Sequence, residues 1–414
     1  MTLPSDAGRG LRASRRGQLR SFLIAFAAAC LATPAATAAA AGSAFVGRGM
    51  WIWQLAQSSG GNPASIAQTA RAYGVTTLMI KAGDGSSGWA QFNPQVVAAL
   101  HADGLKVCAW QYVYGYHPIY EAWVGAAAVR AGADCLVVDA ESEYQGRYVP
   151  AQRYIKELRR LIGSRFPVGL AGFPYIDYHP GFPYSVFLGL GAGQFNVPQM
   201  YWPDIGTTPD QVYPHTYEFN VLYQRPIEPI GEVAVHPPAA QDLLFRQLSR
   251  VYGASLVSWW DWQGSWLSDW RAISQPLGNY QDLTTSYTPP VLTVASAGGI
   301  WAGDLVVWAQ EHLLEAGYPV QVDGDFGPLT QAAVQRFQFV KGLPITGVVD
   351  QTTWQALLRY RRPNVVWTTY GGKTTASAAR AGLPLAVPWS ARLPARGYEV
   401  PRDLGAGQPL GAGR

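Results

Sequence analysis

Between residues 45 and 270 the chain alternates short apolar runs with longer stretches whose apolar positions recur every three or four residues. The runs at 49–54, 76–82, 106–114, 135–141, 167–173, 196–202, 226–233 and 255–262 read as strands. Several are apolar on both faces, as strands buried in a parallel sheet are. The segments between them read as helices. Asn62 before Pro63 and Asn93 before Pro94 each pair an N-cap residue with a first-turn proline. The stretches 149–162 and 238–252 are amphipathic and carry Lys or Arg outward. Eight strand–helix units predict an α/β fold, a (β/α)8 TIM barrel over 45–281. An open doubly wound sheet would need a nucleotide fingerprint, and the sequence has none.

The run at 135–141 organises the candidate chemistry. It is unbroken and apolar until it ends in Asp139, Glu141 and, just beyond, Glu143. Period-two alternation turns all three the same way. The C-terminal end of a barrel strand is where such enzymes keep their active sites. Glu141 is assigned as a general acid, because burial among Trp and Tyr would raise its pKa as that role needs. Asp139, one step deeper, would orient Glu141 or a group of the substrate, and Asp261 at the end of the eighth run is the third catalytic candidate. Glu143 reads as a rim acid. Lys81 is a substrate-binding candidate that could equally be a buried partner neutralising Asp139. Asp84 either joins the site or closes a Gly-rich turn. Trp51, Trp53, Trp110, Tyr112, Tyr114, Tyr201 and Trp260, with Gln199, fall at predicted strand ends, where aromatic faces could stack on sugar rings. Alternation leaves about half of them to packing alone.

Composition extends this picture. At 48% apolar residues with 16 Trp and 22 Tyr, there is material for a large core and for aromatic platforms. The net charge of +4 is uneven: residues 1–20 hold five Arg against Asp6, and from Arg361 onward seven Arg and Lys373 face only Glu399 and Asp403. The body is therefore acidic and both ends are basic.

Residues 1–41 read as an export signal, with Arg15-Arg16 before an apolar run and Ala36-Thr37-Ala38 as a cleavage site. Residues 14–20 resemble a twin-arginine signal in which Gln18 replaces the usual aromatic. Cys30, after three alanines, offers lipoprotein acylation as the competing reading. The apolar run is too short for a stable transmembrane anchor, so a secreted or wall-associated protein is expected. Without the leader only Cys108 and Cys135 remain, either as a disulfide or as two buried thiols.

The stretch 282–299 is rich in Thr, Pro, Ser and Gly and reads as a linker. Residues 300–360 form a compact helical unit. The basic, Gly-, Ala- and Pro-rich 361–414 reads as a disordered tail. The six His are scattered, with no zinc spacing, nucleophile elbow or phosphate loop, so no metal or cofactor is expected. Nothing calls for nucleic acid or a second copy of the chain, and a monomer is expected.

Within the helical unit, Val322-Asp323-Gly324-Asp325-Phe326-Gly327-Pro328 is followed by Thr330, Ala333-Val334 and Phe337-Gln338. This string resembles the three-helix peptidoglycan-binding domain found beside bacterial wall hydrolases, which implies binding to the wall polymer. In the barrel, Ile80-Lys81-Ala82-Gly83-Asp84-Gly85 with Asp139-x-Glu141 resembles family 25 muramidases. Gln199-Met200-Tyr201 and Trp259-Trp260-Asp261 resemble, more weakly, family 18 chitinases. Two departures stand out: the first strand has no acid, and Val137 stands where the chitinase pattern has Asp. The resemblance implies an exported glycoside hydrolase, muramidase-like, that cleaves β-1,4 bonds of peptidoglycan or a related polysaccharide. The competing class is a non-catalytic glycan-binding protein on a degenerate hydrolase barrel.

Overall fold

Eight parallel strands form in the order the hydrophobic pattern predicts: β1 (Gly47–Ile52), β2 (Thr77–Asp84), β3 (Lys106–Val113), β4 (Cys135–Ala140), β5 (Val168–Ala171), β6 (Phe195–Asn196), β7 (Ile230–Glu232) and β8 (Leu256–Trp260). The computed structural model describes residues 45–361, 364–370 and 373–378. The predicted leader, Cys30 and the basic tail past 378 lie outside the described residues.

Each strand pairs with its sequence neighbour, and β8 returns to β1. Between β6 and β7 the ring is completed only by the single bridges Asn196–Ile227 and Gln199–Ile230. Here the pattern predicts longer strands. Pro198, Pro226 and Pro229 have no N–H to give a ladder, so pairing shrinks to isolated bridges. Helices α1 (Pro63–Ala72), α2 (Pro94–Ala102), α3 (Pro118–Arg130), α4 (Tyr148–Ile162), α5 (Tyr184–Phe187), α6 (Trp202–Ile205), α7 (Pro209–Asn220), α8 (Ala239–Val251) and α9 (Leu267–Ser274) fill the connections. The two predicted caps form: Asn62 accepts from the Ser65 amide, and Asn93 from those of Gln95 and Val96.

Alternation sorts the strand side chains between two cores. Ile52, Ile80, Ala109, Leu136, Val138 and Leu170 face the helices. Trp51, Met79, Cys108, Trp110, Cys135, Val137 and Ile230 fill the barrel. Register sets Cys108 opposite Cys135, and their sulfurs are bonded, which decides between the two sequence readings for a disulfide.

After the barrel, α10 (Asp304–Glu315), α11 (Pro328–Lys341) and α12 (Gln351–Leu357) pack around Leu313, Val334 and Phe337, all fully buried. Two buried glutamines fix the turns between these helices. Gln310 bonds the Asp323 and Gly324 amides and the Asp325 carbonyl; Gln338 bonds the Gly347 amide and the Val348 carbonyl. Barrel and module belong to one compact unit.

Two expectations about connecting segments need correction. The stretch read as a linker is held at both ends: the Ser286 amide donates to Tyr252 on the barrel side, and Leu292 pairs with Val349 of the module. Leu292 and Thr293 are buried there, which a free linker would not allow. The tail is not structureless throughout either. Val365–Tyr370 (β9) and Lys373–Ala378 (β10) make an antiparallel hairpin. Trp367 packs 4.2 Å from the Tyr148 ring, and the Gln152 side chain bonds both the Val365 carbonyl and the Trp367 amide. Composition hid the β-branched run that forms β9. Among the described residues no helix is long and apolar enough to cross a membrane.

Candidate active site

Asp139 is the penultimate residue of β4, points into the barrel and is 7% exposed. Glu141 follows one residue past the strand and turns the same way. Gln199, just after β6, joins them: its Nε2 donates to Asp139 Oδ1 and Glu141 Oε1, each at 3.0 Å. Two oxygens sharing one nitrogen lie no more than twice that distance apart. Carboxyl groups so close in a buried mouth resist ionising together. Burial, and then the neighbouring Glu141, lifts Asp139 well above the ordinary range, with Lys81 pulling part of the way back. Burial lifts Glu141 to about 7, against the Gln199 hydrogen bond and with Glu143 adding to the rise.

A second row of contacts borders this pair. Tyr112 donates to Glu143 Oε2 at 2.9 Å, and Tyr114 donates to Asp84 Oδ1 at 2.8 Å. Lys81 Nζ sits 2.6 Å from Asp84 Oδ2, so its ion pair is with Asp84 and not with Asp139, the partner that one of the two sequence readings gave it. A register shift between Lys81 and Gly83 separates the lysine from the regular ladder at this point. The ammonium lies 4.6 Å from the Trp89 ring and 4.8 Å from that of Trp110, a cation–π setting.

The aromatics divide by depth. Trp53, Tyr114, Tyr201 and Trp260 are half-buried at the mouth. Trp51 and Trp110 are not platforms: they are 1% and 2% exposed, and their indole N–H groups bond Ser258 Oγ and the Ile52 carbonyl. Trp260 lies 6.1 Å from Trp51 and 5.6 Å from Trp110, so those two buried rings form the packed floor on which the half-buried Trp260 rests. Asp261 is also committed elsewhere. Its oxygens accept from Gln263 Nε2 at 2.6 Å and the Gly264 amide at 2.9 Å, shaping the turn after β8, and burial lifts it to about 6.

Glu232, the last residue of β7, escaped the sequence reading. It is 3% exposed, and burial beside Asp204 and Asp261 holds it at about 9. The signal was present: an acid ending an apolar strand is the rule that found Asp139. Burial, with the negative charges of Glu232, Asp139, Glu141 and Asp261, also pushes the Tyr201 hydroxyl up, so the ring feels acids from both sides of the mouth. Among the described residues no group of three or more His, Cys, Asp or Glu is arranged to hold a metal ion.

The raised Glu141 has a consequence for stability. Its folded value of about 7 exceeds the ordinary 4.5, so the folded state keeps a proton that the unfolded chain gives up between those values. Stability from this group is full below pH 4.5 and lost as pH rises through 7. Glu141→Gln keeps the acceptor for Gln199 and is expected to be more stable than wild type at pH 8, by about 1–2 kcal/mol after allowing for partial exposure. The gap should close at pH 4.5. Urea unfolding at the two values checks this, and a less stable variant at pH 8 would contradict it.

Comparison with known proteins identifies the smaller part of the chain. Residues 302–357 match the family "Putative peptidoglycan binding domain". The chain is 36% identical over 92 residues to the zinc D-Ala-D-Ala carboxypeptidase of Streptomyces albus G, covering 17% of this chain and 35% of that protein. It thus spans about a third of the length of that curated relative. A peptidoglycan-binding protein from Clostridioides difficile is similar at 35% identity, over 17% of this chain and 40% of that one, with a TM-score of 0.15. The catalytic domain of a hyperthermophilic chitinase from Pyrococcus furiosus is similar at 12% identity and a TM-score of 0.41, over 55% of this chain and 97% of that one. Neither the identity nor the score of that last likeness carries an activity across.

Proposed function

We propose that the barrel is an exported cell-wall glycoside hydrolase, cleaving β-1,4 bonds in peptidoglycan glycan strands or a related polysaccharide while the module holds it to the wall. The observation that carries this reading is the Asp139–Gln199–Glu141 bridge at the C-terminal mouth of the barrel. Glu141, lifted to about 7, keeps its proton on about half of the molecules at neutral pH and can give it to the leaving glycosidic oxygen. Asp139 comes from the same strand and the same side, so it is a poor opposite-face partner. Its place suits it to orient the N-acetyl group, whose carbonyl oxygen would attack the anomeric carbon as the leaving oxygen takes the Glu141 proton. Water then attacks the anomeric carbon, the bond to the acetyl oxygen breaks, and the Glu141 carboxylate takes the water's proton, restoring the acid. The half-buried Trp53, Tyr114, Tyr201 and Trp260 supply faces for the sugar.

One observation favours the second reading, a glycan-binding barrel without catalysis. Strand β1 brings Gly49, Trp51 and then Trp53 to the interior side and no carboxylate. Measuring reducing ends released from purified peptidoglycan by the full chain separates the two. Release above a heat-treated control is expected; its absence alongside retained glycan binding would hand the barrel to the second reading.

A further inference from the structure

We propose that Tyr116, Tyr120 and Trp123 form a stacking track that carries an extended, uncharged glycan chain outward from the barrel mouth. This rests on reading the mouth as a glycan site. The track begins inside that site. Tyr112 and Tyr114, whose hydroxyls bind Glu143 and Asp84, have ring centroids 4.8 Å apart. Tyr116 continues the series, 5.8 Å from Tyr114 with the two planes within 7° of parallel. Beyond it Tyr120 and Trp123, three residues apart on α3, meet at 5.1 Å. The other side of α3, with Glu121, Ala122, Gly125 and Ala126, is buried.

Exposure and rigidity together argue for a ligand. Tyr116 is 65% exposed, Tyr120 57% and Trp123 47%, three open aromatic rings within eight residues, and the Trp123 indole N–H is fixed by Glu157 Oε1 at 2.8 Å. The segment bearing it is nevertheless fixed. Gly115 turns with φ at +67°, where a side chain would be strained. The buried Glu121 accepts from the amides of Gly115 and His117. Arg147 donates to the carbonyls of Tyr114 and Gly115, and its guanidinium lies 5.1 Å from the Tyr116 ring. Rings held this way cost a ligand little further ordering.

The chemistry selects the occupant. Pyranose rings present apolar C–H faces that stack on aromatics while their hydroxyls stay in water. A membrane surface would call instead for aliphatic side chains and a basic polar face, and the basic side chain of α3, Arg130, lies at its far end. Tyr116 lies just before α3, and from Tyr120 to Trp123 the helix advances roughly 4.5 Å at helical rise, about the reach of one sugar ring.

The test uses the full chain carrying Glu141→Gln, to suppress turnover, titrated with a disaccharide and a hexasaccharide of β-1,4-linked N-acetylglucosamine. Adding Tyr116→Ala or Tyr120→Ala should weaken hexasaccharide binding about 5- to 10-fold and leave the disaccharide unchanged. Hydroxyl-radical footprinting locates the bound chain: the hexasaccharide should protect Tyr116, Tyr120 and Trp123, wherever else it touches the module. Both tyrosines are exposed, and matching melting curves will confirm that the variants fold. Equal hexasaccharide affinity with no protection, or no hexasaccharide binding at all, overturns the track. If the wild type releases no reducing ends but hexasaccharide binding depends on Tyr116, the hydrolase reading falls and the track stands. If it cleaves and both variants bind the hexasaccharide as the parent does, the track falls and the hydrolase reading stands.

Discussion

Glu141→Gln is expected to lower the release of reducing ends from purified peptidoglycan by about 10²–10⁴-fold, the range a positioned general acid supplies. The substitution removes the proton and little else. The amide oxygen of the new side chain can still accept from Gln199 Nε2, so the bridge to Asp139 survives. Glycan affinity should therefore stay within about twofold of wild type, and the loss should appear in kcat and not in KM. The wild-type profile adds a second check. A general acid with a value of about 7 is mostly protonated below that pH and mostly spent above it. Turnover should fall as pH rises past 7, and the residual activity of Glu141→Gln should lack that limb. Equal release by the two proteins would remove Glu141 from the chemistry.

How much of this site could be read beforehand follows from what each pattern encodes. Period-two alternation carries facing, so Asp139 and Glu141 were legible from one apolar run that ends in acids. Alternation says nothing of depth along the barrel axis. Trp51 and Trp53 face the same way, yet one is part of the floor and the other lies at the mouth. The Lys81–Asp84 pair was hidden for a different reason: a buried lysine among several acids calls for a partner, but composition does not say which, and the chain turns Asp84 back onto it. Gly324, Pro328 and the Gln310 and Gln338 turns lie close in sequence to what they hold, and the module was the most legible part of the chain. Interactions between distant segments left no such trace.

Asp304 is the clearest of these, and its removal is the second large effect expected. It opens α10 and is fully buried against the barrel. Its carboxylate accepts from the Ser185 amide at 2.8 Å, the Ser185 hydroxyl at 2.7 Å and the Tyr223 hydroxyl at 2.7 Å. Beside it Trp308 donates to the Leu222 carbonyl at 2.8 Å. Asp304→Ala would leave three buried donors facing a void, each costing about 1–3 kcal/mol, and the total should come to about 3–5 kcal/mol. A loss of that size is a large part of an ordinary domain's margin. The expected signs are a second thermal transition and new proteolytic cleavage within 282–299, since that stretch is pinned from both sides. Hydrolysis of soluble glycan fragments should survive at temperatures where the barrel alone stays folded. Asp304→Asn supplies the sign of the charge contribution. Burial outweighs the hydrogen bonds and lifts Asp304 to about 6 from an ordinary 3.8, so wild type gives up stability as pH rises through that window, and the asparagine variant does not. A single transition within about 0.5 kcal/mol of wild type for Asp304→Ala would show that the module is held to the barrel by other contacts.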